Sequence, residues 1–194
     1  TAFAVILLSH VLVTSQVSAQ TPVFKDVTGV TGLKVSTDAA CWVDLDNDGW
    51  VDVCVSGGVW KNQQGQKFLR VADVPTSVAA DFDNDGLVDL FSWAARRLYH
   101  NDGDMKFSPV ALPELPPSVS RGACWGDFNG DGFVDLFVGG YEDWGKGITW
   151  PFQVLINEKG KSFKLARSES AMRARGVTAC DFDQDGDLDV YVSN

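Results

Sequence analysis

The chain has 194 residues, of which 45% are hydrophobic and 11% aromatic, so it holds enough apolar material for a folded core. Its formal net charge of −10 and the absence of a basic stripe disfavour DNA, RNA and anionic lipid as partners. Most of the acids fall at regularly spaced positions in four short segments, so the acidity is local.

The first nineteen residues, TAFAVILLSHVLVTSQVSA, contain no acid, Lys or Arg and run from an apolar block to small residues. This order is typical of the hydrophobic region and cleavage site of a signal peptide. A membrane anchor is the alternative, but Ser9 and His10 interrupt a stretch already shorter than the ~20 apolar residues of a spanning helix. We therefore expect a signal peptide at 1–19, truncated at its amino end, and a mature fragment at 20–194 that is secreted, or periplasmic or cell-surface in a bacterium.

Four copies of the pattern Asp-x-Asp/Asn-x-Asp-Gly-x-x-Asp follow, at 44–52, 81–89, 127–135 and 181–189. Carboxylates at alternate positions repel one another unless a cation lies between them, and glycine at the sixth position permits a sharp reversal. Calcium takes six to eight oxygens, so a backbone carbonyl at the seventh position and water would complete each cage. The pattern predicts up to four Ca²⁺ ions. The predicted ligands are Asp44, Asp46, Asp48, Trp50, Asp52, Asp81, Asp83, Asp85, Leu87, Asp89, Asp127, Asn129, Asp131, Phe133, Asp135, Asp181, Asp183, Asp185, Asp187 and Asp189.

Two other readings of these loops are weaker. A solvated Asp/Asn/Gly turn needs no metal, but four copies in register, with apolar residues at the second and eighth positions, favour metal cages. An EF-hand loop begins in the same way but needs Glu at its twelfth position and a helix on each side. The segments that follow these loops, such as VDVCVSGG and VDLFVGG, are short β-branched runs typical of strands.

A second pattern follows the first three loops, with Asn and Phe six residues apart in VWKNQQGQKF, LYHNDGDMKF and VLINEKGKSF. The Asn, with a Gly two or three residues later, predicts a tight hairpin. One unit is therefore strand, acidic loop, strand, turn, strand, hairpin and strand, in repeats at about 36–71, 75–110, 119–166 and 174–194. Four antiparallel strands per repeat predict an all-β protein, a β-propeller of which this chain holds a partial ring of about three and a half blades.

Three segments, ACWGDFNGDGFVDLFVGG, LYHNDGDMKF and the opening VFKDVTGVTGL, resemble FG-GAP or VCBS repeats, the calcium-binding blades of integrin α-chain propellers and of many secreted proteins. The resemblance covers most of residues 22–194. It implies that each acidic loop joins the first two strands of a blade and that the acids named above are ligands, with Asn129 replacing an acid. It also implies that the remaining blades of a longer parent chain close the ring.

The chain has four cysteines, and export would permit disulfides. Cys41 and Cys124 occupy the same place three residues before a loop, in ACWVD and ACWGD, which favours small buried side chains there. Cys41 and Cys54 could face each other across a hairpin, so a bridge between them stays open.

The third unit carries an insertion, GGYEDWGKGITWPFQ, between its second and third strands. Exposed aromatics stack on sugars or anchor a protein partner, so Tyr141, Trp144, Trp150 and Phe152 are a candidate ligand surface. The alternative is an extended hairpin that folds its aromatics onto the neighbouring blade.

Little in the sequence favours an enzyme. His100, the one histidine of the predicted mature region, lies beside a hairpin asparagine, where we expect a surface turn, and no Ser-His-Asp, Cys-His or zinc-ligand spacing emerges. We therefore expect a secreted, calcium-stabilised propeller that binds an extracellular protein or glycan, as in adhesion. The alternative is the propeller part of a secreted polysaccharide-active enzyme whose catalytic residues lie outside this fragment.

Overall fold

The computed structural model describes residues 25–33, 35–36, 39–170 and 173–193. The predicted signal peptide lies outside the described residues. Within them a single short helix, α1 (Thr28–Thr31), is followed only by strands. None of the described helical structure is long and apolar enough to cross a membrane.

Three sheets share one plan, in which four consecutive or nearly consecutive strands pair with their neighbours in antiparallel fashion. The first sheet contains β1 (Ala40–Val43), β2 (Asp52–Val55), β3 (Gly58–Asn62) and β4 (Phe68–Ala72). The second contains β5 (Val78–Ala80), β6 (Asp89–Ser92), β7 (Arg97–Asn101) and β8 (Phe107–Val110). The third contains β9 (Ala123–Gly126), β10 (Asp135–Val138), β13 (Phe152–Asn157) and β14 (Phe163–Glu169).

Two smaller sheets complete the described fold. The insertion of the third unit forms a two-stranded hairpin, β11 (Glu142–Asp143) and β12 (Ile148–Thr149), between β10 and β13. The fourth unit contributes β15 (Gly176–Cys180) and β16 (Asp189–Ser193), which pair antiparallel. The predictions of an all-β chain and of four antiparallel strands per full unit are confirmed.

The second strand of each full sheet lies in the interior. Every residue of β2, β6 and β10 is buried, as the mainly apolar run after the first Asp of each strand predicts for a strand covered on both faces. The sheets stack by their first strands, because β1 lies against β5, β5 against β9, and β9 against β15. Neighbouring sheets therefore contact each other through their first strands.

An apolar core fills each space between adjacent sheets. Leu45 and Leu90 lie in the core between the first and second sheets, and Phe82 and Leu136 in the larger core between the second and third. The residue at the second position of an acidic loop anchors that loop where a following sheet covers it: Leu45 is 0% exposed and Phe82 is 4% exposed. Phe182, at the same position of the fourth loop, is 74% exposed.

Cys41 and Cys54 are direct cross-strand partners on β1 and β2, as the hairpin geometry suggested. Both are free thiols, and so are Cys124 and Cys180. Burial raises the pKa of the Cys54 thiol to about 12, so this sulfur stays protonated at neutral pH.

Candidate metal centre

The four acidic segments form the connections between the first two strands of each sheet, all on the same side of the fold. They are loop 1 (44–52), loop 2 (81–89), loop 3 (127–135) and loop 4 (181–189).

The aspartate at the first position organises the loop backbone. In loop 1 the Asp44 carboxylate accepts hydrogen bonds from the amides of Asp48 at 3.2 Å and Gly49 at 2.8 Å. The same pair of bonds recurs in the other three loops. Gly49 has φ of 85°, a conformation that suits glycine, so the predicted sharp reversal is present. The carboxylate at the first position therefore holds the turn through hydrogen bonds to the loop backbone.

The aspartate at the ninth position ties the loop to the hairpin of its own sheet. Asp89 is fully buried, and its carboxylate accepts from the amides of Phe82 at 3.0 Å and Asn101 at 2.8 Å. Burial raises its pKa to about 6, and burial also raises the pKa of Asp52 and of Asp135. Of these three buried carboxylates, Asp89 also belongs to a group of acids whose ligand atoms lie within 4.8 Å of one another.

The aspartate at the fifth position accepts from the amide at the seventh. Asp48 Oδ1 lies 2.9 Å from the Trp50 amide nitrogen, and Leu87, Phe133 and Asp187 make the equivalent bond. The seventh residue thus acts through its backbone, which is why its side chain varies so widely. Coordination by its carbonyl oxygen stays a prediction.

The aspartate at the third position of loops 1 and 2 differs from the other acids of these loops in its hydrogen bonding. Asp46 Oδ1 and Asp83 Oδ1 are buried, and neither has a hydrogen-bond partner among the described residues. Leaving a buried acceptor oxygen without a hydrogen-bond donor costs about 1–3 kcal/mol. The hairpin of the third sheet packs over Asp83, because a Cβ on Gly160 would lie 2.7 Å from the Asp83 Cβ. A hard divalent cation at each loop would satisfy these oxygens, so the residues present fit Ca²⁺.

Acidic donor atoms converge in three of the loops. Within each group the ligand atoms lie within 4.8 Å of one another. Loop 3 has Asn129 at the third position, whose Oδ1 accepts from the Asp131 amide at 3.0 Å. The convergent groups are Asp44, Asp46 and Asp48; Asp81, Asp83 and Asp89; Asp83, Asp85 and His100; and Asp181, Asp183 and Asp189.

Two basic residues face these groups, and sequence reasoning missed both. The Lys61 ammonium contacts Asp46 and lies 2.9 Å from Asp48 Oδ2. Its contact with Asp46 raises the pKa of Lys61. Lys61 and Asp46 are fifteen residues apart in sequence, so only the pairing of β2 with β3 brings them together.

His100 does not lie in a free surface turn. Its Nε2 is 3.3 Å from both Asp83 Oδ2 and Asp85 Oδ2, and its Nδ1 is 2.8 Å from Asp102 Oδ1. The hydrogen bond with Asp102 raises the pKa of His100. The available sequence signal was that His100 and Lys61 each directly precede a hairpin asparagine.

The loops of adjacent sheets are joined to each other. Asn47 Nδ2 donates to the Gly86 carbonyl at 3.0 Å, and Asn84 Nδ2 donates to the Gly132 carbonyl at 3.0 Å. Each asparagine is at the fourth position of its loop. Loop 3 has Gly130 there, which has no side chain to continue the series.

The hairpin asparagines form a second set of links. The predicted turn role is confirmed, because Asn101 Oδ1 accepts from the Gly103 amide at 3.1 Å. In addition, Asn101 Nδ2 donates to the carbonyl of Leu45 at 2.8 Å, in the loop of the preceding sheet, and to that of Val88 at 3.1 Å, in its own. Asn157 makes the equivalent pair of bonds one sheet further on.

The four insertion aromatics do not form one exposed surface. Phe152 is 5% exposed and stacks on Phe137 with ring centroids 5.3 Å apart, so its prediction as a surface residue is wrong: it begins β13 and points into a core between sheets. Trp144 is 70% exposed, with the Arg173 guanidinium 5.0 Å from its ring. Trp150 is only partly exposed.

Tyr141 lies beside a cavity of about 310 Å³ at the base of the insertion. The guanidinium carbons of Arg121 and Arg175 are 5.6 and 5.4 Å from its ring centroid. Trp93, from the second sheet, also lines this cavity. The insertion therefore brings aromatic and guanidinium groups together at the side opposite the acidic loops.

Four-stranded antiparallel sheets, each with an acidic loop between its first two strands, define a class of β-sheet repeat proteins. The chain belongs to the FG-GAP-like repeat family, whose model matches residues 81–138 and 127–192. The chain is also similar to cartilage acidic protein 1 of Homo sapiens, with 29% identity over 150 residues.

The same similarity extends to two other vertebrate proteins. Cartilage acidic protein 1 of Mus musculus is 29% identical over 150 residues, and that of Xenopus tropicalis is 29% identical over 137. These alignments cover 74%, 74% and 67% of this chain for the human, mouse and frog proteins. They cover 21%, 22% and 20% of the relatives, so the chain spans about a fifth of their length.

Proposed function

We propose that loops 1 to 4 each bind one Ca²⁺ ion and that the ions stabilise a binding module. The observation that carries this proposal is the pair of buried, partnerless oxygens, Asp46 Oδ1 and Asp83 Oδ1, at the same position of two loops. The carboxylates at positions one, three, five and nine would hold the ion, with Asn129 in place of a carboxylate in loop 3. Calcium supplies the positive charge that lets these oxygens be buried together.

Calcium in this proposal is structural. Both oxygens of the first and ninth aspartates already accept hydrogen bonds from backbone amides, of the loop for Asp44 and of the loop and β7 for Asp89, so these groups hold the loop in place and are poorly suited to acid–base chemistry. An ion that binds only the folded loop adds stability by mass action. Extracellular modules bind calcium with dissociation constants of roughly 10⁻⁴ to 10⁻³ M, which we expect here as well.

We further propose that the sheets are blades of a β-propeller. The neighbouring first strands β1, β5, β9 and β15 support this arrangement, since propeller blades meet at their innermost strands. The exposed Phe182 and Tyr191 of the fourth unit offer apolar surface to a further sheet. The reference to cartilage in the relatives' name fits an extracellular location.

The partner-binding surface proposed here is the insertion hairpin. Trp144 and Arg173 form an exposed aromatic and cationic pair, and Tyr141 lies beside the cavity with Arg121 and Arg175. Such groups suit a glycan or an extracellular protein. Trp144→Ala should weaken capture of that partner while leaving the calcium response of the loops unchanged; retained binding would discard this surface.

The calcium proposal is tested by measuring thermal unfolding of the purified chain once in millimolar calcium and once in EDTA. We expect a higher melting temperature in calcium, and a smaller difference for Asp83→Asn, which keeps the shape but removes a charge. A matched control is Asp104→Asn, an exposed residue of a hairpin outside the loops. Equal melting temperatures with and without calcium would refute the structural role of the ion.

A further inference from the structure

The residue before each hairpin asparagine differs among the three full sheets. It is Lys61 in the first, His100 in the second and Ile156 in the third. Lys61 and His100 reach the carboxylates at the third and fifth positions of the loop in their own sheet. Ile156, in the equivalent place, carries no charge.

We propose that Lys61 is a built-in counter-ion of loop 1, which calcium must displace, so that the residue before the hairpin asparagine sets the calcium affinity of its own loop. This inference rests on the proposed binding of calcium by the loops. It assigns to Lys61 the role of lowering the calcium affinity of loop 1 below the affinity that the same loop would have without an ammonium beside it.

The geometry makes the ammonium and the ion competitors. Lys61 Nζ occupies the space between Asp46 and Asp48, which provide ligands at the third and fifth positions. The ammonium binds Asp46 Oδ2 and Asp48 Oδ2, so these two oxygens cannot coordinate calcium until Lys61 leaves, whereas Asp46 Oδ1 stays free. Calcium affinity also falls as the net negative charge of a site falls, and Lys61 removes one unit from loop 1. Both effects weaken the first site.

A compensation in loop 3 supports the pairing of these two positions. Loop 1 has four carboxylates at its ligand positions and one ammonium beside them. Loop 3 has three carboxylates, because Asn129 replaces the third-position acid, and Ile156 stands where Lys61 would be. The two sites reach the same net charge by different residues. In loop 3 the neutral Asn129 at the third position is thus paired with the neutral Ile156 before the hairpin asparagine. This is expected if the side chains at these two positions face each other.

The experiment is a calcium titration of the whole chain followed by ¹H–¹⁵N NMR. The sixth-position amides of Gly49, Gly86 and Gly132 each bind the first aspartate of their own loop and so report on that loop separately. In Lys61→Met, the Gly49 signal should respond at about tenfold lower calcium, while Gly86 and Gly132 keep their midpoints. Ile156→Met is the matched control, because it places the same residue, Met, at the equivalent position of the third sheet. It should move none of the three calcium midpoints.

The reverse variant tests the same idea independently of how well Lys61→Met folds. Ile156→Lys places an ammonium beside loop 3 and should move the Gly132 midpoint to about tenfold higher calcium. An unchanged or higher midpoint for Gly49 in Lys61→Met, or an unchanged midpoint for Gly132 in Ile156→Lys, would overturn the inference. If no loop of the unaltered chain responds to calcium, the proposed calcium function fails instead, so the two failures are distinguishable.

Discussion

Asn157 Nδ2 donates a 2.7 Å hydrogen bond to the Phe82 carbonyl, 75 residues earlier in the chain. Asn157 belongs to the hairpin of the third sheet and Phe82 to loop 2, so one amide group joins two units. The same side chain also donates to Val134 and accepts from Gly160. A residue that a sequence reader assigns to a turn is therefore also an intersheet connection.

Asn157→Ala should destabilise the protein by about 1–3 kcal/mol, because the buried carbonyl of Phe82 loses its donor. Asn62→Ala is the matched control, since Asn62 makes the equivalent turn but its amide reaches only Val51, in its own sheet, among the described residues. Urea unfolding in calcium measures both. Equal losses for the two variants would show that the intersheet bond contributes nothing beyond the turn.

Gly140→Ala should destabilise the protein severely. A Cβ there would lie 2.0 Å from the Trp150 carbonyl oxygen and 2.5 Å from the Pro151 carbonyl carbon, and backbone cannot yield as a flexible side chain can. Overpacking of this kind costs roughly 1–3 kcal/mol or more. Gly145→Ala, at the tip of the same insertion, meets nothing closer than 3.5 Å and should be nearly neutral. Similar melting temperatures for the two variants would contradict the close approach.

Cys54 should resist alkylation in the native state, whereas Cys180 should react. Cys54 is fully buried and its thiol pKa is raised to about 12, so little thiolate is present at pH 8. Cys180 is exposed. Peptide mass spectrometry after timed iodoacetamide treatment gives both rates, and addition of urea should release Cys54. Protection of Cys54 that persists in urea and disappears only with a reductant would indicate a bridge to Cys41 instead.

The calcium-free protein should become less stable as the pH rises. The pKa of Asp89 is about 6 in the fold, above the ordinary value of 3.8 because of burial. A carboxyl group whose pKa is raised by folding contributes stability that is complete below about pH 4 and is lost as the pH passes 6. Melting temperatures in EDTA should therefore fall between pH 5 and pH 7. The fall should be smaller in Asp89→Asn, and a rise over this range would contradict the assignment.

Local sequence patterns were sufficient to predict the strands and the turns. The acidic nonamers are contiguous in sequence, so the position of each loop and the glycine reversal could be predicted without tertiary information. The contacts of Lys61 and His100 with the acidic loops could not be predicted in this way. They depend on the register of β3 against β2 and of β7 against β6, which the spacing of residues in the sequence does not specify. Phe152 was misplaced for a related reason: an aromatic at the end of an insertion and one at the start of a buried strand look alike until the strand boundary is known.

The glycine at position 130 has a mechanical consequence. Asn47 tethers loop 1 to loop 2, and Asn84 tethers loop 2 to loop 3, but Gly130 has no side-chain amide for a third tether. Under a pulling force along the chain, the joint between the third sheet and the fourth unit lacks the cross-link that the two earlier joints possess. We expect this joint to separate before the two joints that Asn47 and Asn84 bridge, so that a pulling force would detach the fourth unit from the third sheet first.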